Sequence, residues 1–102
     1  MQKVHAGRKA GKAKVGTLAE VLAALGDPLR LQILRNLQVA GDKSCGQFGI
    51  EMPKSSLSHH FKVLRAAGLI VSWPEGRETV NRLNLDAVEK RFPGVLRAVL
   101  RA

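Results

Sequence analysis

Cysteine is almost missing from these 102 residues: Cys45 stands alone, which rules out a disulfide within the chain and any paired-cysteine zinc spacing. No apolar run approaches the twenty or so residues that span a bilayer, and no signal-like apolar core follows the basic N-terminus. A cytoplasmic protein with no membrane partner is therefore expected. Acids are scarce as well, with eight Asp and Glu against seventeen Lys and Arg, a net charge of +9. That imbalance favours nucleic acid over an anionic membrane surface as the partner. The length suits one domain with a modest core, to which oligomerisation would add burial.

The shortage of acid is sharpest from Lys54 to Gly68, where no carboxylate occurs. At helical spacing, Leu57, Phe61, Leu64 and Ala67 fall on one side and Ser55, Ser58, His59, Lys62 and Arg65 on the other. The segment reads as an amphipathic helix whose outward face suits a polyanion, unless it is simply a solvated face. Gly68 is placed to stop it through a positive φ.

Around this segment the chain divides into a basic arm, residues 1–16, and a domain, residues 17–102. The arm carries Lys3, Arg8, Lys9, Lys12 and Lys14 with no acid, and is expected to be disordered. It would serve either to follow phosphates or a minor groove, or as a solubilising tail. Thr17 then caps a first helix with Leu18, Val21, Leu22 and Leu25 on one face. Asp27-Pro28 opens a second helix, expected to run to about Gln38 with Leu29, Ile33, Leu34 and Leu37 inward and Arg30, Gln32 and Arg35 outward. Gly41-Asp42-Lys43 reads as a loop, and Ser44 to Gly49 as one or two helical turns ahead of Pro53 and the central helix. Leu69 to Trp73 and Thr79 to Leu85 read as the strands of a hairpin whose turn, Pro74-Glu75-Gly76-Arg77, puts Arg77 near its tip. Trp73 suits packing better than base stacking. Asp86 is expected to cap a last helix that Pro93 interrupts, with Val95, Leu96, Val99 and Leu100 continuing the apolar stripe. The first and last helices thus offer apolar faces, to be covered either within the chain or by a second copy across a two-fold axis.

Ala24-Leu-Gly-Asp-Pro-Leu-Arg-Leu-Gln-Ile-Leu34 and Ser58-His-His-Phe-Lys-Val-Leu-Arg-Ala-Ala-Gly-Leu69 together resemble the arsenical-resistance-repressor (ArsR/SmtB-like) regulators over about residues 18–100. The resemblance implies a mainly α fold with a small β-hairpin, a winged helix-turn-helix that dimerises through its first and last helices. It also implies a repressor bound to a double-stranded DNA operator until a signal releases it. The family's recognition motif falls on Lys54, Ser55, Ser56, Ser58, His59 and His60, and its wing arginine on Arg77. Lysine can donate to guanine O6 and N7, and serine suits bases or phosphates, while Lys62 and Arg65 should meet backbone phosphates. His60 lies toward the apolar flank, where a packed, hydrogen-bonded role competes with DNA contact.

The family's metal sites are not matched. Cys45 is followed by Gly46 rather than a partner cysteine, and Val88 stands where a histidine is wanted near Asp86. Zinc wants about four N or S ligands, so neither a metal nor another cofactor is expected. Cys45 remains a candidate thiol sensor, against the plainer reading of a buried small residue. The inducer and the operator are not named by any motif. A module that senses nothing, or that needs a partner protein, is the competing reading of the same helix. An enzyme is disfavoured, because His59 and His60 lie among serines with no carboxylate in the motif to orient an imidazole.

Overall fold

Two N-caps set the starts of the first two helices. Thr17 and Glu20 form a reciprocal capping box, the Thr17 amide donating to Glu20 Oε1 at 2.8 Å and the Glu20 amide to Thr17 Oγ1 at 3.2 Å. They open α1, Leu18–Leu25. The Asp27 carboxylate accepts from the amides of Leu29 and Arg30, both at 3.0 Å, and Pro28 supplies the first helical position of α2, Pro28–Ala40. The computed structural model describes residues 14–102. Most of the expected basic arm, with Lys3, Arg8, Lys9 and Lys12, lies outside the described residues.

Beyond α2 come β1 (Lys43–Ser44), a single 3-10 turn (Cys45–Gln47), α3 (Lys54–Ala66), β2 (Ile70–Glu75), β3 (Glu78–Leu83), α4 (Leu85–Arg91) and α5 (Val95–Arg101). The fold is mainly helical with a small antiparallel sheet, a winged helix-turn-helix. Its sheet has three strands in the order β1-β3-β2, not the two of a hairpin. Lys43, expected in a loop, and Ser44, expected to open the short helical turn that it does cap, also pair with Asn81 and Val80 of β3. Two residues carry no strand pattern of their own; a partner strand creates this one. The β2–β3 register runs from Ile70 opposite Leu83 to Glu75 opposite Glu78, so the turn shrinks to Gly76-Arg77 and Pro74-Glu75 belongs to β2.

Three more boundaries differ from expectation. α2 continues to Ala40 before Gly41, and Leu85 belongs to α4 instead of extending β3. Asn84, not Asp86, holds the N-cap position of α4, and Asp86 sits in the first turn. Pro93 does separate the last two helices, and Glu89 takes over the capping of α5 by accepting from the amides of Gly94 at 2.9 Å and Arg97 at 3.1 Å. Those two N–H groups, Gly94 first, hold the Glu89 carboxyl below its ordinary range.

The core gathers Val21, Ile33, Leu34, Leu37, Phe61, Leu64, Leu69, Ile70, Val88, Leu96 and Leu100, drawn from every helix and from the start of β2. Arg35, expected outward, turns back to donate to the carbonyls of Leu100 and Ala102, tying α2 to the end of α5. A second small cluster of Val71, Trp73 and Val80 forms on the sheet.

Candidate nucleic-acid interface

The buried side of α3 explains why the helix stands where it does. Phe61 and Leu64 are sealed in the core, and Phe48 meets Phe61 edge-on with ring centroids 5.3 Å apart. Phe48 follows the 3-10 turn, so the brief first limb of the helix-turn-helix braces the second through one aromatic contact. Sequence reasoning passed over Phe48; a lone aromatic among glycines was the available signal. At the other end, Gly68 adopts φ +79, and a Cβ there would meet the Lys14 carbonyl and, at 2.6 Å, Val15 Cα. Its carbonyl accepts from Asn84 Nδ2 at 2.8 Å. Gly68 therefore joins α3, β2, α4 and the chain ahead of α1 in a space that admits no side chain.

The outward side carries Lys54, Ser55, Ser56, Ser58, His59, Lys62 and Arg65, all exposed. Among the described residues none of these side chains makes a hydrogen bond or ion pair, and α3 has no acid in its first turn. Pro53 occupies the N-cap position without a side-chain acceptor, which leaves the first-turn amides open at the positive end of a thirteen-residue helix. Cations, hydroxyls and open amides thus share one exposed arc whose groups can donate to anionic oxygens.

His60 is placed differently from its neighbour. It is half-buried, with Nδ1 3.1 Å from Arg30 Nη1 and 3.9 Å from Asp27 Oδ2. Arg30, expected to point outward, also donates from Nε to the Ala24 carbonyl at 2.7 Å. The Asp27 carboxyl is held below its ordinary range, chiefly by the Arg30 backbone N–H and also by the Arg30 charge.

Arg77 is exposed at the Gly76-Arg77 turn, on a separate element from the α3 arc. Behind it the sheet binds its own charges. Arg82 makes a forked pair with Asp42, at 3.1 and 2.9 Å, and lies over the Trp73 ring at 5.0 Å. Asp42 raises the Arg82 guanidinium further above its ordinary value. Trp73 is 5% exposed, which makes it a packing residue and removes it from base stacking.

Cys45 is half-buried in the 3-10 turn, away from the α3 arc in the chain, and its Sγ accepts from Asn81 Nδ2 at 3.3 Å. Asn81 is wholly buried; it also donates to the Lys43 carbonyl at 3.2 Å and accepts from Ser72 Oγ at 2.7 Å. One amide thus pins β1 and the 3-10 turn to β3, a role the sequence did not disclose. Among the described residues no group of three or more His, Cys, Asp or Glu is placed to share a metal ion, and no helix is long and apolar enough to cross a membrane.

Comparison with known proteins bears on the same region. A family model described as a helix-turn-helix domain matches residues 25–72, from the end of α1 into β2. The uncharacterized HTH-type transcriptional regulator YceK of Bacillus subtilis is 38% identical over 81 residues, 76% of this chain and 81% of the relative. The uncharacterized HTH-type transcriptional regulator MJ1325 of Methanocaldococcus jannaschii is 37% identical over 60 residues, 57% of this chain and 67% of the relative. The crystal structure of Rv0081 from M. tuberculosis aligns with a TM-score of 0.61 at 31% identity, covering 81% of this chain and 84% of that one.

Proposed function

The chain belongs to the helix-turn-helix-type transcriptional regulators, DNA-binding proteins rather than enzymes, and from that premise we propose that it is a homodimeric repressor of the ArsR type. The observation that carries this reading is the exposed, acid-free arc of α3. Lys54, Ser55, Ser56, Ser58 and His59 meet base edges and nearby phosphates in the major groove, with His60 at the margin of the same surface. Lys62 and Arg65 hold the backbone and set register, and Arg77 enters the adjacent minor groove.

Two-fold pairing rests on the apolar side chains left uncovered on α1, where Leu18 is 44% and Leu22 48% exposed, and on half-buried Val95 and Val99 of α5. A second copy would bury both stripes and set two α3 helices about 34 Å apart, one turn of duplex. Bound over a promoter, such a dimer blocks transcription. A DNA partner also implies action in the cytoplasm.

Selection of bound duplexes from a random pool at near-physiological salt tests the reading. A partly two-fold winner preferred over a scrambled control by about 10³ or more is expected of a specific dimer. An unenriched pool would replace it with general phosphate binding, and a winner with no internal symmetry would remove the dimer.

A further inference from the structure

Arg30 of α2 and His60 of α3 meet at the corner where α1 ends. The guanidinium donates from Nε to the Ala24 carbonyl at 2.7 Å and from Nη2 to the Ala23 carbonyl at 3.4 Å, both at the negative end of α1. Its Nη1 lies 3.1 Å from His60 Nδ1. A guanidinium has donors only, so Nδ1 is the acceptor and carries no proton. A neutral imidazole so held has its single proton on Nε2. Asp27 Oδ2, the other charged group facing the ring, stands at 3.9 Å and is already engaged by the Leu29 and Arg30 amides. The His59 ring meets His60 edge-on at 5.9 Å. His60 Nε2 has no hydrogen-bond partner among the described residues, yet it is not among the buried polar atoms left without one. The side chain keeps 16% of its surface open to solvent. The accessible nitrogen of His60 is therefore a donor.

We propose that Arg30 is a positioning residue of the DNA interface that acts through His60. It holds the imidazole in the Nε2–H tautomer with Nδ1 turned into the protein, so that α3 offers a donor to an acceptor atom of the duplex. That acceptor is a phosphate oxygen or a purine N7 or O6, both of which take an N–H. Without Arg30 the ring divides between tautomers, and in the Nδ1–H form an unshared pair on Nε2 faces the electron-rich duplex. This inference rests on the DNA-binding reading of α3 and adds to it a residue that need not touch DNA.

Long-range ¹H–¹⁵N spectra of the full chain, at a pH where both imidazoles are neutral, test the tautomer without any duplex. The expected result is a bare Nδ1 and protonated Nε2 at His60, with both shifts moving toward the two-tautomer average in Arg30→Met and staying near wild type in Arg30→Lys. On the selected duplex, Arg30→Met should lose about twofold in affinity, because a ring divided between tautomers offers the donor about half of the time. In a His60→Gln background, whose amide donates without help, the same substitution should leave affinity unchanged. A His60→Ala loss common to all duplexes assigns the acceptor to phosphate, and one confined to the selected sequence assigns it to a base edge. An Nδ1–H tautomer in the wild type, unchanged shifts in Arg30→Met, or an equal loss in the His60→Gln background would each overturn the proposal. Should Arg30→Met fail to fold, the wild-type tautomer and Arg30→Lys still decide. Wild-type chain that binds no duplex removes the DNA-binding reading and the interface role together, whereas binding with the wrong tautomer removes this inference alone.

Discussion

The α3 arc and the β2–β3 wing both present cations, but they treat them in opposite ways. On α3, Lys54, Lys62 and Arg65 are exposed with no ion pair among the described residues. On the wing, Arg82 is clamped by Asp42 and laid over Trp73, while Arg77 stands between Glu75 and Glu78, which face each other across the strands. A cation already paired has little left to give a phosphate, because its field is spent on a neighbour a few ångströms away. The wing between Ile70 and Leu83 carries two acids and two bases, and α3 carries three bases with no acid. Affinity for a polyanion should therefore come from α3, leaving the wing to contribute orientation through Arg77.

The largest expected effect comes from breaking the joint between these two regions. Gly68→Ala would force a side chain into the left-handed region against the Lys14 and Val15 backbone. A loss of roughly 2–4 kcal/mol is expected on thermal or denaturant unfolding. A smaller loss, under about 1 kcal/mol, would show that the joint yields easily.

Next comes charge removal. Replacing Lys54, Lys62 and Arg65 together by alanine should flatten the dependence of log K on log salt by about three units, roughly one per charge, against well under one for Arg77→Ala. Equal changes per charge removed would erase the contrast between helix and wing. A gentler test neutralises the wing acids: Glu75→Gln with Glu78→Gln should raise affinity about threefold on every duplex, the scale of exposed charge contacts. A gain limited to one sequence would mean that the wing reads bases.

The smallest effect lies away from the interface, at Glu89. Its carboxyl is held below the ordinary value by the Gly94 and Arg97 amides, so its contribution to stability is complete above the unfolded value near 4.5 and lost as pH falls through the lower folded value. Glu89→Gln should lower stability slightly above about pH 5 and leave it little changed below the folded value, so that the acid limb flattens, as followed by circular dichroism. An acid limb unaltered in the variant would assign it to other carboxylates, Asp27 first among them.

Much of the helical framework was legible because helix signals are local. Thr17 with Glu20, Asp27 with Pro28, Gly68 and Pro93 each act within a few residues of the backbone they start or stop. The α3 arc was legible for the same reason, since helical spacing alone sorts its residues between faces. The sheet was less so. β1 exists only because β3 offers it partners, and whether Leu85 extends a strand or starts a helix depends on what packs against it.

By itself, then, the sequence determined most of the places where helices start and stop, that one helix carries three cations and no acid, and that one cysteine can form no internal bridge. Tertiary structure alone decided that Arg30 and Arg35 turn inward, that Phe48 braces α3, that buried Asn81 ties three elements together, and that Arg30 is the partner of His60. The division follows from range. A cap, a glycine at positive φ or an amphipathic period is settled by neighbours a few positions away, whereas the partner of a guanidinium or an imidazole is settled by whichever distant carbonyl, ring or carboxylate the folded chain brings within about 3 Å.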